Sequence, residues 1–114
     1  MNNAAELLMK PLATCCLFIL FFSCNTPGEK AAAKVHTVVI QQMKFTPADL
    51  TVNEGDTVTW INRDIVDHNI TEEANKEWSS SSLSPGKSWS MVAKKSAGYF
   101  CSIHPVMKGS LSVK

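Results

Sequence analysis

From residue 35 onward, apolar and polar positions alternate with a period of two, interrupted at intervals by turn residues. "VHTVVIQQM" is rich in β-branched side chains, "ADLTVNEG" puts Leu50 and Val52 on one face, and "DTVTWIN" does the same with Val58 and Trp60. Successive side chains of a strand point to opposite faces, so each stretch predicts a strand with one buried side. After "SPGK" the segment "KSWSMVA" alternates again, with Trp89 and Met91 on a shared side, and "GYFC" and "SLSVK" close the chain. Gly55 in "NEGD" and the Pro85-Gly86 pair in "SPGK" mark turns, the second with the residues that a type II turn prefers at its two centres. Many short strands and no long amphipathic stretch predict an all-β fold, a β-sandwich or barrel. The least patterned segment, "EEANKEWSSSS", is expected to be a loop with an edge strand.

A domain of this size encloses only a thin core. Trp60, Trp78 and Trp89, with Phe45, Tyr99 and Phe100, are expected to fill much of it, Trp78 being the most exposed of the tryptophans. Met43 and Met91 sit in alternating strands without an imidazole nearby and are expected to be core filler. Glu72, Glu73, Lys94 and Lys95 are expected on solvated loops or edges, and His36 on the surface of the first strand.

The first residues follow a different pattern. Pro11 to Phe22, "PLATCCLFILFF", is an unbroken apolar run, too short for a lasting membrane span and suited to an export signal. Within "FFSC", small Ser23 precedes Cys24, a motif similar to the lipobox of bacterial lipoproteins. That resemblance implies a signal over 1–23, cleavage before Cys24 and acylation of that residue, which anchors a protein at a membrane without a spanning helix. The alternative is a cut after Ala31–Ala33 that releases a soluble exported protein. Residues 24–34 then form a tether, and 35–114 the folded domain, expected to be a monomer.

Eleven basic and ten acidic residues leave a formal charge of +1, with no basic run, which argues against nucleic acid as a partner. The cysteines say more. Cys15 and Cys16 leave with the signal and Cys24 is the lipid site, so Cys101 is the one thiol left to an exported domain. One thiol cannot staple a fold.

Cys101, His104 and Met107 follow one another at three-residue intervals in "YFCSIHPVMKG". Pro105 disfavours a helix at His104, so the three are placed on a tight loop leaving a strand end. Thiolate, imidazole and thioether form a soft donor set that suits copper better than magnesium or calcium. His68, 33 residues earlier in "DIVDHNI", is the best fourth ligand. Two imidazoles, one thiolate and a weak axial methionine are the donors of a blue-copper electron-transfer site.

With "MKFTPADLTVNEGDTVTWINRD", "DHNI", "SPGKSWSM" and "GYFCSIHPVMKGSLSV", residues 35–114 resemble the cupredoxins, the family of plastocyanin, azurin, pseudoazurin and amicyanin. The C-x-x-H-x-x-M spacing is similar to the short ligand loop of amicyanins. The resemblance implies a Greek-key β-sandwich with one copper ion at one end, cycling between Cu(I) and Cu(II) to pass single electrons between redox proteins of the periplasm or cell envelope. It implies His68, Cys101, His104 and Met107 as metal ligands. It further implies that the Asn69 amide donates to the thiolate while the Asn69 side chain ties the ligand loops together. Ile103 stands where amicyanins have proline, and its free amide is expected to give Cys101 a second hydrogen bond. Pro105 and Val106 are expected to form an apolar docking patch beside His104. A copper enzyme needs further histidines for a catalytic centre, and only His36 is left over, so no enzyme is expected. A copper carrier or store is the other reading, although the repeated Met or Cys motifs of stores are missing.

Overall fold

The computed structural model describes residues 27–114, whose compact part is Ala31–Lys114. The expected signal segment 1–23 and the expected lipid site Cys24 lie outside the described residues. Pro27–Lys34 form no regular element and are exposed, including Ala31–Ala33.

Eight strands follow: β1 (Val35–Gln41), β2 (Lys44–Thr46), β3 (Asp49–Val52), β4 (Thr57–Asn62), β5 (Thr71–Glu72), β6 (Ser88–Val92), β7 (Ala97–Phe100) and β8 (Lys108–Val113). They form two four-stranded sheets, ordered β2-β1-β4-β6 and β3-β8-β7-β5. The chain crosses repeatedly between the sheets, so β1 and β4 pair in parallel, as do β3 and β8, while the remaining pairs are antiparallel. The fold is an all-β sandwich, as the alternation predicts.

Strand β4 shows how pattern becomes packing. Val58, Trp60 and Asn62 are buried, and the intervening Thr57, Thr59 and Ile61 are not. Val38 and Ile40 of β1 share that inner face, and Tyr99 and Leu111 approach it from the other sheet. Aromatic rings join the sheets: Tyr99 meets Phe45 at 4.9 Å and Trp60 at 5.4 Å between centroids, both edge to face. Such pairs contribute about 0.5–1.5 kcal/mol each beyond their buried area. Trp89, Met91 and the half-buried Trp78 complete the cluster at its margin.

The turns follow the punctuation. Lys87 N–H donates to Ser84 O at 3.0 Å and Gly86 has φ +84°, the backbone that a type II turn requires of its third residue. Gly55 (φ +91°) plays the same part in a turn closed by Asp56 N–H to Asn53 O at 3.0 Å.

Three expectations need correction. Met43 is not core filler: it is 39% exposed and, with Gln42, forms the two-residue turn between β1 and β2. The alternation of "VHTVVIQQM" simply runs on into the turn. Glu72 is not solvated but 5% exposed. Its carboxylate accepts the amides of Ala74 and Asn75 at 2.8 Å and of Glu77 at 3.2 Å, so the turn replaces lost water with backbone donors. The Asn75 amide, first among these bonds, holds the Glu72 carboxyl below the ordinary glutamate range. His36 is only partly exposed, because its Nε2 lies 2.8 Å from Oδ2 of buried Asp56.

Candidate metal centre

The loop that leads from β4 to His68 is shaped by a buried amide. Asn62 Nδ2 donates to Val66 O and Leu83 O, each at 2.8 Å, and Asn62 Oδ1 accepts the Asp64 amide at 2.9 Å. The chain is thereby turned back into the sandwich at His68, whose backbone exchanges two hydrogen bonds with Leu83 at 3.1 and 2.7 Å. His68 is fully buried.

The second loop leaves the end of β7. Cys101 follows Phe100 directly, and the segment closes on itself through Met107 N–H to His104 O at 3.0 Å and Cys101 N–H to Met107 O at 3.1 Å. Cys101 is a buried free thiol and Met107 is buried, whereas His104 is partly exposed. The two loops are tied by Asn69 and Ser102: Ser102 N–H donates to Asn69 Oδ1 at 2.7 Å, and Asn69 Nδ2 to Ser102 Oγ at 2.6 Å.

These constraints bring three of the four expected ligands together. Cys101 Sγ lies 3.8 Å from His68 Nδ1, and the His68 and His104 rings stand 5.0 Å apart at 61°. Met107 closes the same loop through its backbone. Among the described residues no three His, Cys, Asp or Glu side chains converge into a tight preassembled cluster, so the set rests on these pairwise approaches.

The donor chemistry fits a soft ion. The Asn69 amide donates to Cys101 Sγ at 3.4 Å, so the sulfur is placed as a hydrogen-bond acceptor. Across the ring from Nδ1, His68 Nε2 lies 3.0 Å from Asp64 Oδ2. An ionised carboxylate only accepts, so Nε2 is the donor of this bond, and in the neutral ring that tautomer leaves the Nδ1 lone pair beside the sulfur. A sulfur and a nitrogen bonded to one borderline ion at about 2.0–2.3 Å stand roughly 3.5–3.8 Å apart, the spacing seen here. The Asp64 carboxyl is held below the ordinary aspartate range, first by the Met43 amide and then by the bond to His68.

Among the described residues the amide that donates to the Cys101 sulfur is that of Asn69, not of Ile103, which stands 45% exposed on the loop. Pro105 is exposed and Val106 is 88% exposed beside His104. Ile65, 91% exposed, lies on the loop that delivers His68. Sequence reasoning did not single out Asp64, Asn62 or Ser102. The only trace of Asp64's role is a carboxylate four positions before the histidine.

Comparison with known proteins gives a consistent result. The family model described as copper binding proteins, plastocyanin/azurin family, matches residues 31–114. The amicyanin of Paracoccus denitrificans is 32% identical over 83 residues, 68% of this chain and 63% of that protein, so the match spans less than two thirds of the relative. A purple cupredoxin from Nitrosopumilus maritimus superposes with a TM-score of 0.65 at 28% identity, covering 69% of this chain and 99% of that one. A copper-containing nitrite reductase from Thermus scotoductus superposes with a TM-score of 0.66 at 26% identity, but over only 24% of its own chain.

Proposed function

Because the chain belongs to the plastocyanin/azurin family of copper binding proteins, we propose that it is a type 1 copper protein that carries single electrons between redox partners in the cell envelope. Copper is the family's cofactor, and when bound it supplies one-electron cycling between Cu(I) and Cu(II). His68, Cys101, His104 and Met107 are the residues proposed to hold it. The observation that carries this reading is the approach of Cys101 Sγ to His68 Nδ1 at 3.8 Å, with the sulfur already accepting the Asn69 amide.

The protein's own part is to hold donors still and keep water out. His68 and Cys101 are sealed from solvent, and their loops are locked by Asn62, Asn69 and Ser102. A site so braced changes little between oxidation states, which suits electron transfer better than release of the ion. His104 is the partly exposed member, flanked by Pro105 and Val106, and this apolar rim is the proposed docking patch for short encounters. The resemblance to nitrite reductase is confined to a quarter of that chain, and His36, the remaining histidine of this one, is bonded to Asp56. An electron carrier, not an enzyme, is therefore proposed, exported and held at a membrane by lipid on Cys24.

Cyclic voltammetry of the copper-loaded protein separates carrier from store. One reversible one-electron wave with copper retained through repeated cycles is expected; loss of the ion on reduction supports the storage reading instead.

A further inference from the structure

Asp64 joins two groups that are distant from each other in sequence, Met43 and His68. Its Oδ2 accepts His68 Nε2 at 3.0 Å and the Met43 amide, also at 3.0 Å. Met43 and Gln42 are the centres of the β1–β2 turn, at φ 59° and 52°. Left-handed backbone at a residue with a side chain costs about 1–2 kcal/mol, and here two such residues stand in succession without glycine or asparagine. The turn presents the Met43 N–H to Asp64 rather than to another strand. Asp64 is further fixed by its own amide on Asn62 Oδ1 and by the Ile65 amide on its Oδ1 at 3.0 Å.

We propose that Asp64 is a positioning residue for His68, and that the Gln42–Met43 turn is the brace that keeps Asp64 in place. The carboxylate holds the imidazole in the tautomer that frees Nδ1 and fixes the ring plane. A neighbour of this kind also strengthens the donor, which favours the higher oxidation state of a bound metal. Without the Met43 amide, one of the donors that orients this carboxylate is gone and its side chain is freer to turn from the ring toward water. Because Met43 and Ile65 are both exposed, the brace lies where a visiting molecule can touch it.

The inference rests on His68 as a ligand, so it is tested with and without copper. In the metal-free protein, NMR hydrogen exchange of the His68 ring N–H and the Met43 amide is compared among wild type, Asp64→Asn and Asp64→Ala. Both protons are expected to exchange faster in Asp64→Ala, with Asp64→Asn intermediate and safely folded. In the loaded protein, both variants are expected to lower copper(II) affinity, by about 10- to 100-fold in Asp64→Ala, and to raise the midpoint potential. Unchanged exchange at either proton overturns the brace. Faster exchange with unchanged affinity and potential overturns the positioning role; if His68→Ala also keeps the blue colour, the ligand assignment itself has failed.

Discussion

Asn69 and Ser102 exchange two hydrogen bonds across 33 positions of sequence, at 2.6 and 2.7 Å, and so clasp the loop that carries His68 to the loop that carries Cys101. The clasp leaves the Asn69 amide facing Cys101 Sγ. Replacing Asn69 with Ala removes both side-chain bonds and keeps that amide. The expected loss is about 1–3 kcal/mol by urea denaturation, since each partly exposed bond contributes about 0.5–1.5 kcal/mol. The copper(II) band should shift rather than vanish.

Gly109 faces Tyr99 across the β7–β8 pair, and a Cβ at Gly109 would overlap the Tyr99 ring. Gly109→Ala must displace a buried aromatic packed on Trp60 and Phe45. A cost of about 1–3 kcal/mol is expected from such overpacking, measured by thermal denaturation. Altered near-ultraviolet circular dichroism should accompany it, because the displaced ring belongs to the aromatic cluster.

Asp56 makes acid stability predictable in sign. Its carboxyl is lowered from 3.8 to about 2, first by the Lys34 amide and next by His36, against the opposing effect of burial. A lowered folded value means that stability is present above the unfolded value and is lost as pH falls from about 4 through about 2. Asp56→Asn should be less stable than wild type at pH 6, and the gap should narrow as the pH falls toward 2. A gap independent of pH in urea denaturation would contradict the role of this carboxylate.

Val106 tests the docking patch. Val106→Glu places a charge on the apolar rim beside His104 without touching a proposed ligand. Two copies meeting at that rim would oppose like charges, so NMR-measured electron self-exchange should slow by about tenfold at low salt and recover in part at high salt. The visible spectrum should not change.

Much of this molecule was legible in its sequence. Val58, Trp60 and Trp89 fall on the faces that period-two alternation assigns them, and Pro85-Gly86 marks a turn that has the expected backbone. What escaped depends on partners that alternation does not reveal. Glu72 is buried because a closed turn lines up amides around it, and Met43 is exposed because a hairpin turn formed without the usual Gly or Asn. The parallel pairing of β1 with β4 is equally silent, since strand order is settled by which faces fit across the sandwich. At the centre, the donor residues stood out by type and spacing. Asp64 did not, because a carboxylate at a loop is ordinary until the Met43 amide and the His68 ring are seen to share one of its oxygens.

The most direct test of the whole account is the visible absorption of the purified domain titrated with copper(II), run beside Cys101→Ser. An intense thiolate-to-copper band that saturates at one ion per chain, and is absent from Cys101→Ser, is predicted. A colourless wild-type complex, or a band that survives loss of the Cys101 sulfur, would contradict it.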